Sequence, residues 1–300
     1  MHPDGLDHLP DAKRRELDRI AQILFEEFDE ALKTKLSDRN RNGRILKLIL
    51  FGSHARGDWV DDRKSGYRSD YDLLVVVNTE RFTDQTDFWD GAGERLMREL
   101  AVSGWLATPV NFIVHSLEDV CSQLRLGRPF FVDIARDGIP LYEAEGYPLP
   151  APMPLSEEDR QAEARQHFDH FFPGADALMA AAGFLIQRGD FNLAAFQLHQ
   201  ATERLYHCVL LVLTLYSPKS HRLERLRSQA EDLDARLVDA WPRDTKQARR
   251  CFARLKRAYI DARYSPRYEI TPDELEWIAE RVGQLASIVE TVCREKIGDR

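Results

Sequence analysis

Cysteine is scarce in this chain: four residues in 300, at Cys121, Cys208, Cys251 and Cys293, with no C-x-x-C pair among them. That spacing excludes a disulfide framework and the familiar zinc-ribbon patterns, and it suits a reducing compartment. Long hydrophobic runs are missing too. The stretch "CVLLVLTLY" falls far short of the ~20 apolar residues that span a bilayer. The opening "MHPDGLDHLPDAKRREL" has neither the basic start nor the apolar core of a secretion signal, so a cytoplasmic protein with no membrane partner is expected. There is no internal repeat and no low-complexity tract. Nor is there an excess of positive charge: the net charge is -8, distributed as -7 over residues 1–150 and -1 over residues 151–300. The global balance therefore does not advertise nucleic acid.

What is present is an ordinary soluble composition, 43% hydrophobic and 31% charged, in a chain long enough for two domains. The character changes near residue 150, where "GYPLPAPMPLSEED" packs four prolines ahead of a Ser156 N-cap and a run of acids. Before it, helix and strand patterns alternate. Leu17, Ile20, Leu24, Phe28, Ala31 and Leu32 repeat with a helical period across residues 12–36. "RILKLILFG", "DLLVVV" and "TPVNFIV" read as strands, "FWDGAGERLMRELA" and "HSLEDVCSQL" as helices, and "GIPLYE" as a short last strand. After the prolines the strand signals vanish. Helices are expected over roughly 157–188, 191–215, 219–238, 244–262 and 272–296, divided at Gly189-Asp190, Ser217-Pro218, Trp241-Pro242 and Ser265-Pro266. Thr271-Pro272-Asp273-Glu274 is a strong helix start. The expectation is an α+β N-terminal domain, a small mixed sheet with helices, over residues 1–147. A linker over 148–155 and an all-α antiparallel bundle over 156–300 follow.

The most telling stretch runs from residue 51 to 77, "FGSHARGDWVDDRKSGYRSDYDLLVVV". A strand ends at Phe51, and Gly52-Ser53 turn the chain into a short helix. Glycine permits close backbone approach to a phosphate, and Ser53 offers a hydroxyl and an N–H. Asp70 and Asp72 are two residues apart, so on a strand they share a face, while Leu73, Val75 and Val77 face a core. Paired carboxylates on one face repel each other unless a cation lies between them, and magnesium takes such oxygen ligands.

"GSHARG" followed by "SDYDLLV" resembles the G-S-x-A-R-G … S-D-x-D-L signature of the minimal nucleotidyltransferases of the polymerase β superfamily. The resemblance implies transfer of a nucleoside monophosphate from a triphosphate, ATP by expectation, to an acceptor hydroxyl. It implies phosphate binding by Gly52 and Ser53 with Arg56 near the phosphates, and Mg²⁺ or Mn²⁺ held by the catalytic Asp70 and Asp72. Arg63, Lys64 and Arg68, in the longer loop between the two halves, either line the site or solvate the loop. The superfamily usually places a third carboxylate on a later strand. Here "TPVNFIV" puts Asn111 at that position, and an amide oxygen can ligate a metal but cannot act as a general base. Asp133 is an alternative source of the third acid.

The second half is similar to a HEPN domain of the sacsin-like type, carried by "LHQATERLYHCVLLVLTLYSPKSHRLERLR" and "FARLKRAYIDARYSPRYEIT". Many HEPN domains are dimeric ribonucleases built on an R-x(4–6)-H motif. In "RYSPRYEI", Arg263 and Arg267 are present, and Tyr268 stands where the histidine would fall. Between Thr245 and Arg267 there are eight Lys/Arg and one acid, Asp261, which is either a solvated basic face or a phosphate-binding surface. His199, Glu203 and His207 recur at one-turn spacing, a metal-like pattern that reads more readily as a buried polar network. The whole-chain expectation is a nucleotidyltransferase fused to a HEPN bundle, homodimeric through that bundle and toxin–antitoxin-like or stress-related. A protein tyrosine, Tyr264 or Tyr268, or an RNA is the candidate acceptor. The alternatives are a degraded regulatory protein that binds nucleotide or RNA without turnover, and a HEPN ribonuclease.

Overall fold

The computed structural model describes residues 5–34, 42–62, 67–218 and 220–299. Arg63 and Lys64 lie outside the described residues. The chain divides into two compact units: the first holds Met1–Asp61 and Arg68–Pro154, and the second holds the residues from Leu155 onward.

The first unit opens with helix α1, Asp11–Thr34, with an acid in its first turn and a lysine in its last, each favourable to the helix dipole. Its apolar stripe, Leu17, Ile20, Leu24 and Phe28, is wholly buried. Strand β1 (Ile45–Phe51) leads into the one-turn helix α2 (Ser53–Arg56). A two-residue hairpin, β2 (Asp61–Asp62) with β3 (Tyr67–Arg68), precedes β4 (Tyr71–Val77). Helices α3 (Gln85–Phe88) and α4 (Asp90–Arg98) then lead to β5 (Val110–Ser116), α5 (Leu117–Arg125), α6 (Pro129–Asp137) and β6 (Ile139–Glu143). The main sheet has the order β5-β4-β1-β6, with β4 and β5 parallel and the other pairs antiparallel. It is the expected small mixed sheet.

Every residue of β1 and β4 is buried, which explains their near-continuous apolar sequences. Leu73, Val75 and Val77 join Leu48 and Leu50 in one core with α1, Phe88 and Trp89. On the other face α5 and α6 cover β4 and β1. Helix α6 was not anticipated from "FFVDIARDG", although Pro129 supplies its first turn. The one charged residue inside β1, Lys47, is matched across the ladder by Glu143 of β6 at 2.6 Å.

The second unit is all helical: α7 (Glu157–Arg188), α8 (Phe191–Thr214), α9 (Leu223–Leu233), α10 (Lys246–Ala258), α11 (Asp261–Tyr264) and α12 (Pro272–Ile297). Ser156 caps α7 as expected, accepting from the Asp159 amide. Pro173 sits inside α7 and removes a helical N–H. Beside it, bare Gly174 leaves room for Arg204 of α8, which donates to the His170 and Phe171 carbonyls at 2.7 and 2.9 Å. Helix α8 is buried on most sides and forms the centre of the bundle.

Two expected helices are shorter than their patterns. The 219–238 segment divides at Asp234, whose side chain accepts from the Arg236 amide and starts a 3₁₀ turn over Ala235–Ala240. The 244–262 segment gives α10 and then the separate turn α11. Thr271 and Glu274 form a full capping box on α12 behind Pro272. Among the described residues no helix is long and apolar enough to cross a membrane.

Candidate active site

Gly52 is the residue on which the first site turns. Its φ of 73° lies in the left-handed region, and a Cβ at this position would meet Asp72 Oδ2 at 2.8 Å. Both the backbone conformation and the approach to the carboxylate therefore demand glycine. The register Phe51↔Asp72 brings the end of β1 directly beside Asp72 of β4. Ser53 follows, 4% exposed, and its Oγ is buried with no hydrogen-bond partner among the described residues. A buried hydroxyl without a partner is costly unless a ligand supplies one.

The parallel ladder pairs Asp72 with Asn111 of β5, so the position read as that of the third acid lies beside the two aspartates. Asn111 Nδ2 donates to Asp70 Oδ2 at 2.8 Å. A carboxylate only accepts, so the amide turns its nitrogen, not its oxygen, to Asp70. Asp72 is 2% exposed, whereas Asp70, one residue before β4, is half-buried. The donor set fits a hard cation: magnesium is commonly held by one or two carboxylates together with substrate phosphates. No cluster of three or more His, Cys, Asp or Glu able to hold a metal occurs among the described residues. A metal here would thus rely on Asp70, Asp72 and the ligand.

Other expected contributors are engaged by neighbouring groups. Arg56, at the end of α2, is exposed and pairs with Asp58 at 3.2 Å. Arg68 pairs with Asp61 at 2.9 Å and donates to the Ala107 carbonyl. Asp133 is exposed on α6 and paired with Arg136 at 3.0 Å, so Asn111 is the residue of the two that joins the aspartates.

Sequence reasoning passed over His54, the variable position of "GSHARG". It is fully buried, its Nδ1 lies 2.9 Å from the Asp70 carbonyl, and its ring lies parallel to Trp59 and against Tyr71. Burial, with Lys13 nearby, depresses its pKa to about 4, so the ring is neutral near pH 7. Its partners come from α1 and from residues downstream, which no local pattern announces.

In the second unit Tyr268 is buried and its hydroxyl donates to the Arg254 carbonyl at 3.1 Å; burial pushes its pKa up to about 12. That placement removes it as an acceptor hydroxyl. Tyr264 is 74% exposed. Arg263 donates to the Tyr259 carbonyl and lies over the rings of Phe196, Tyr259 and Tyr264. Arg267 lies in the exposed turn that follows α11.

The basic run is less free than its sequence suggests. Glu274 of α12 pairs with Arg250 at 2.8 Å and Arg254 at 3.0 Å, Asp261 pairs with Arg257, and Glu224 pairs with Lys256. Counting charges along the run found Asp261 alone, because the other two acids arrive from different helices. The His199–Glu203–His207 spacing proves to be a polar network joined by His221, whose Nδ1 is 2.9 Å from Glu203 Oε1. His199 and His207 stand farther from that carboxylate, at 3.8 and 4.0 Å. Burial, then the neighbouring His221, holds the pKa of His199 down at about 4.

Comparison with known proteins agrees with the second unit's architecture. Residues 170–292, within the second unit, match the family model of the HEPN domain. A protein of Methanocaldococcus jannaschii, whose name assigns it by inference a protein adenylyltransferase activity, is 47% identical to this chain over 56 residues. That segment is 19% of this chain and 45% of the relative, so the match spans less than half of the relative's length.

Proposed function

We propose that the first unit, residues 1–147, is a nucleotidyltransferase domain that moves a nucleoside monophosphate from a triphosphate, ATP in the first instance, to a hydroxyl. Residues 148–155 link it to the HEPN bundle of residues 156–300. The observation that carries this reading is the convergence of Gly52, the unpartnered Ser53 hydroxyl, Asp70 and Asp72 at one end of β1 and β4. The name of the partial relative supports the same class.

In this reading Gly52 lets the backbone approach the phosphates, and Ser53 Oγ gains the partner it lacks. Asp70 and Asp72 would hold Mg²⁺ or Mn²⁺, whose charge would stabilise the departing pyrophosphate. Asn111 fixes the orientation of Asp70 and, carrying no charge, takes no proton from the acceptor. Proton removal then falls to Asp70, Asp72 or solvent. Tyr264, exposed beside Arg263, is the proposed tyrosine acceptor, and the bundle the proposed homodimer surface. We also propose a toxin–antitoxin-like or stress-related role for this pairing of domain types.

The test is to incubate the protein with ATP and Mg²⁺, weigh it intact, and assay pyrophosphate. An AMP adduct or pyrophosphate release that disappears in Asp70→Ala and Asp72→Ala is the expected result. Tight nucleotide binding with neither product would favour a second reading, a regulatory module that binds without turnover. The Asn111 amide in place of a third acid is the observation behind that alternative. The ribonuclease reading has least support, because Tyr268 is buried and Arg263 is engaged by three rings.

A further inference from the structure

We propose that His54 is a positioning residue for this site, tying the Asp70 backbone to the Gly52–Ser53 turn through its Nδ1–H; the inference rests on the nucleotidyl-transfer reading above. Asp70 lies one residue outside β4, so the sheet ladder ends just short of it. The His54 ring, attached to the residue after Ser53, reaches the Asp70 carbonyl at 2.9 Å. A carbonyl accepts only, which places the proton on Nδ1. One side chain thereby spans from the phosphate turn to the backbone of a metal-binding residue.

The ring packs against two aromatic side chains. Trp59 lies parallel to it, with centroids 5.5 Å apart and an interplanar angle of 6°, and Tyr71 packs at 4.4 Å. Lys13 Nζ covers the other residues of this stack, 4.4 Å from the Trp59 ring and 5.3 Å from the Tyr71 ring, while donating to Thr108 Oγ1 at 3.0 Å. Tyr71 in turn donates to Glu16 at 2.8 Å. The main chain of His54 is fixed as well, its carbonyl accepting from His8 Nε2 at 2.8 Å.

The second ring nitrogen shows what the imidazole is for. Nε2 is buried with no partner among the described residues, a cost that a phenyl ring of similar shape would avoid. The stacking needs only an aromatic ring. What requires nitrogen at this position is the single bond to Asp70.

That separates two roles by substitution. His54→Phe keeps the stack and loses the donor; His54→Asn places an amide N–H near the Nδ1 position and loses the stack. Binding of Mg²⁺ with a nonhydrolysable ATP analogue is measured by calorimetry, and melting temperature is measured on the same samples. Phe should hold the melting temperature near wild type and weaken Mg²⁺-dependent binding about tenfold, the scale of one lost hydrogen bond. Asn should melt earlier and bind within a few-fold of wild type. Phe binding like wild type, or binding and melting falling together in both variants, overturns the inference. If Asn fails to fold, Phe alone decides by the same criterion. If wild type binds no better than Asp70→Ala, the transferase reading falls, and this inference falls with it.

Discussion

Replacing Asn111 by aspartate supplies the acid that the adjacent strand lacks, and its consequences can be worked out from the geometry. Asn111 donates to Asp70 Oδ2 at 2.8 Å, beside Asp72 across the ladder. The substitution deletes a hydrogen bond to a charged group, worth about 1.5–3 kcal/mol. It also sets a carboxylate against a carboxylate, a repulsion of about 4 kcal/mol at 4 Å for an effective dielectric constant near 20. Asp70 and Asn111 are half-buried, so solvent screens part of that. A net cost of about 2–4 kcal/mol in EDTA is expected, or roughly 5–10 °C in melting temperature for a unit of this size. On the proposed reading, in which magnesium binds only the folded state, it should return more stability to Asn111→Asp than to wild type, in proportion to its tighter binding. Thermal melts in EDTA and across a Mg²⁺ series, with Asp70→Ala/Asn111→Asp as control, measure both effects. Equal melting temperatures in EDTA, or identical Mg²⁺ responses in Asn111→Asp and wild type, would refute the placing of Asn111 beside a cation held by Asp70 and Asp72.

Gly52→Ala should cost about 1–3 kcal/mol from its positive φ and abolish Mg²⁺–nucleotide binding by pushing on Asp72, read by denaturation and calorimetry. In the AMP-labelling assay Tyr264→Phe should remove a tyrosine adduct and Tyr268→Phe should not, because the Tyr268 hydroxyl is buried on the Arg254 carbonyl. Glu231→Gln in the bundle removes the negative charge that compensates buried Arg227, 2.7 Å away, and should cost about 3–5 kcal/mol in urea denaturation. The pKa of His199 falls from 6.5 to about 4 on folding, so below 6.5 the unfolded chain takes up the proton first. The bundle should therefore lose stability as pH drops through that window, by at most about 1.4 kcal/mol per pH unit from this group, and His199→Gln should flatten the slope.

The parts of the first site that were legible in sequence are those fixed by short-range periodicity. Asp70 and Asp72 declare themselves by i,i+2 spacing, and Gly52 and Ser53 by their place after an apolar strand. Asn111 could be placed because β5 reads as a strand, even though its pairing with β4 is set by the fold. His54 stayed hidden because its meaning comes from Trp59, Tyr71 and α1, brought together only by tertiary packing. The basic run failed in the opposite way. Its charges were plain, but Glu224 and Glu274 reach it from other helices. Helix starts were read well where a cap lies within the segment, as at Ser156 and Thr271, and helix ends poorly where the stop is a side chain turning back on its own backbone, as at Asp234.

Glu274 holds a helix start and a charge balance with one side chain. One carboxylate caps α12 through the Thr271 amide and also pairs with both Arg250 and Arg254. Because glutamine can serve in the same capping box, a single Glu274→Gln change would keep the helix start while releasing two arginines. The local charge would rise by one unit, with the two guanidinium groups already positioned. A basic surface that is partly countered in this protein thus stands one substitution away from a stronger attraction for polyanions.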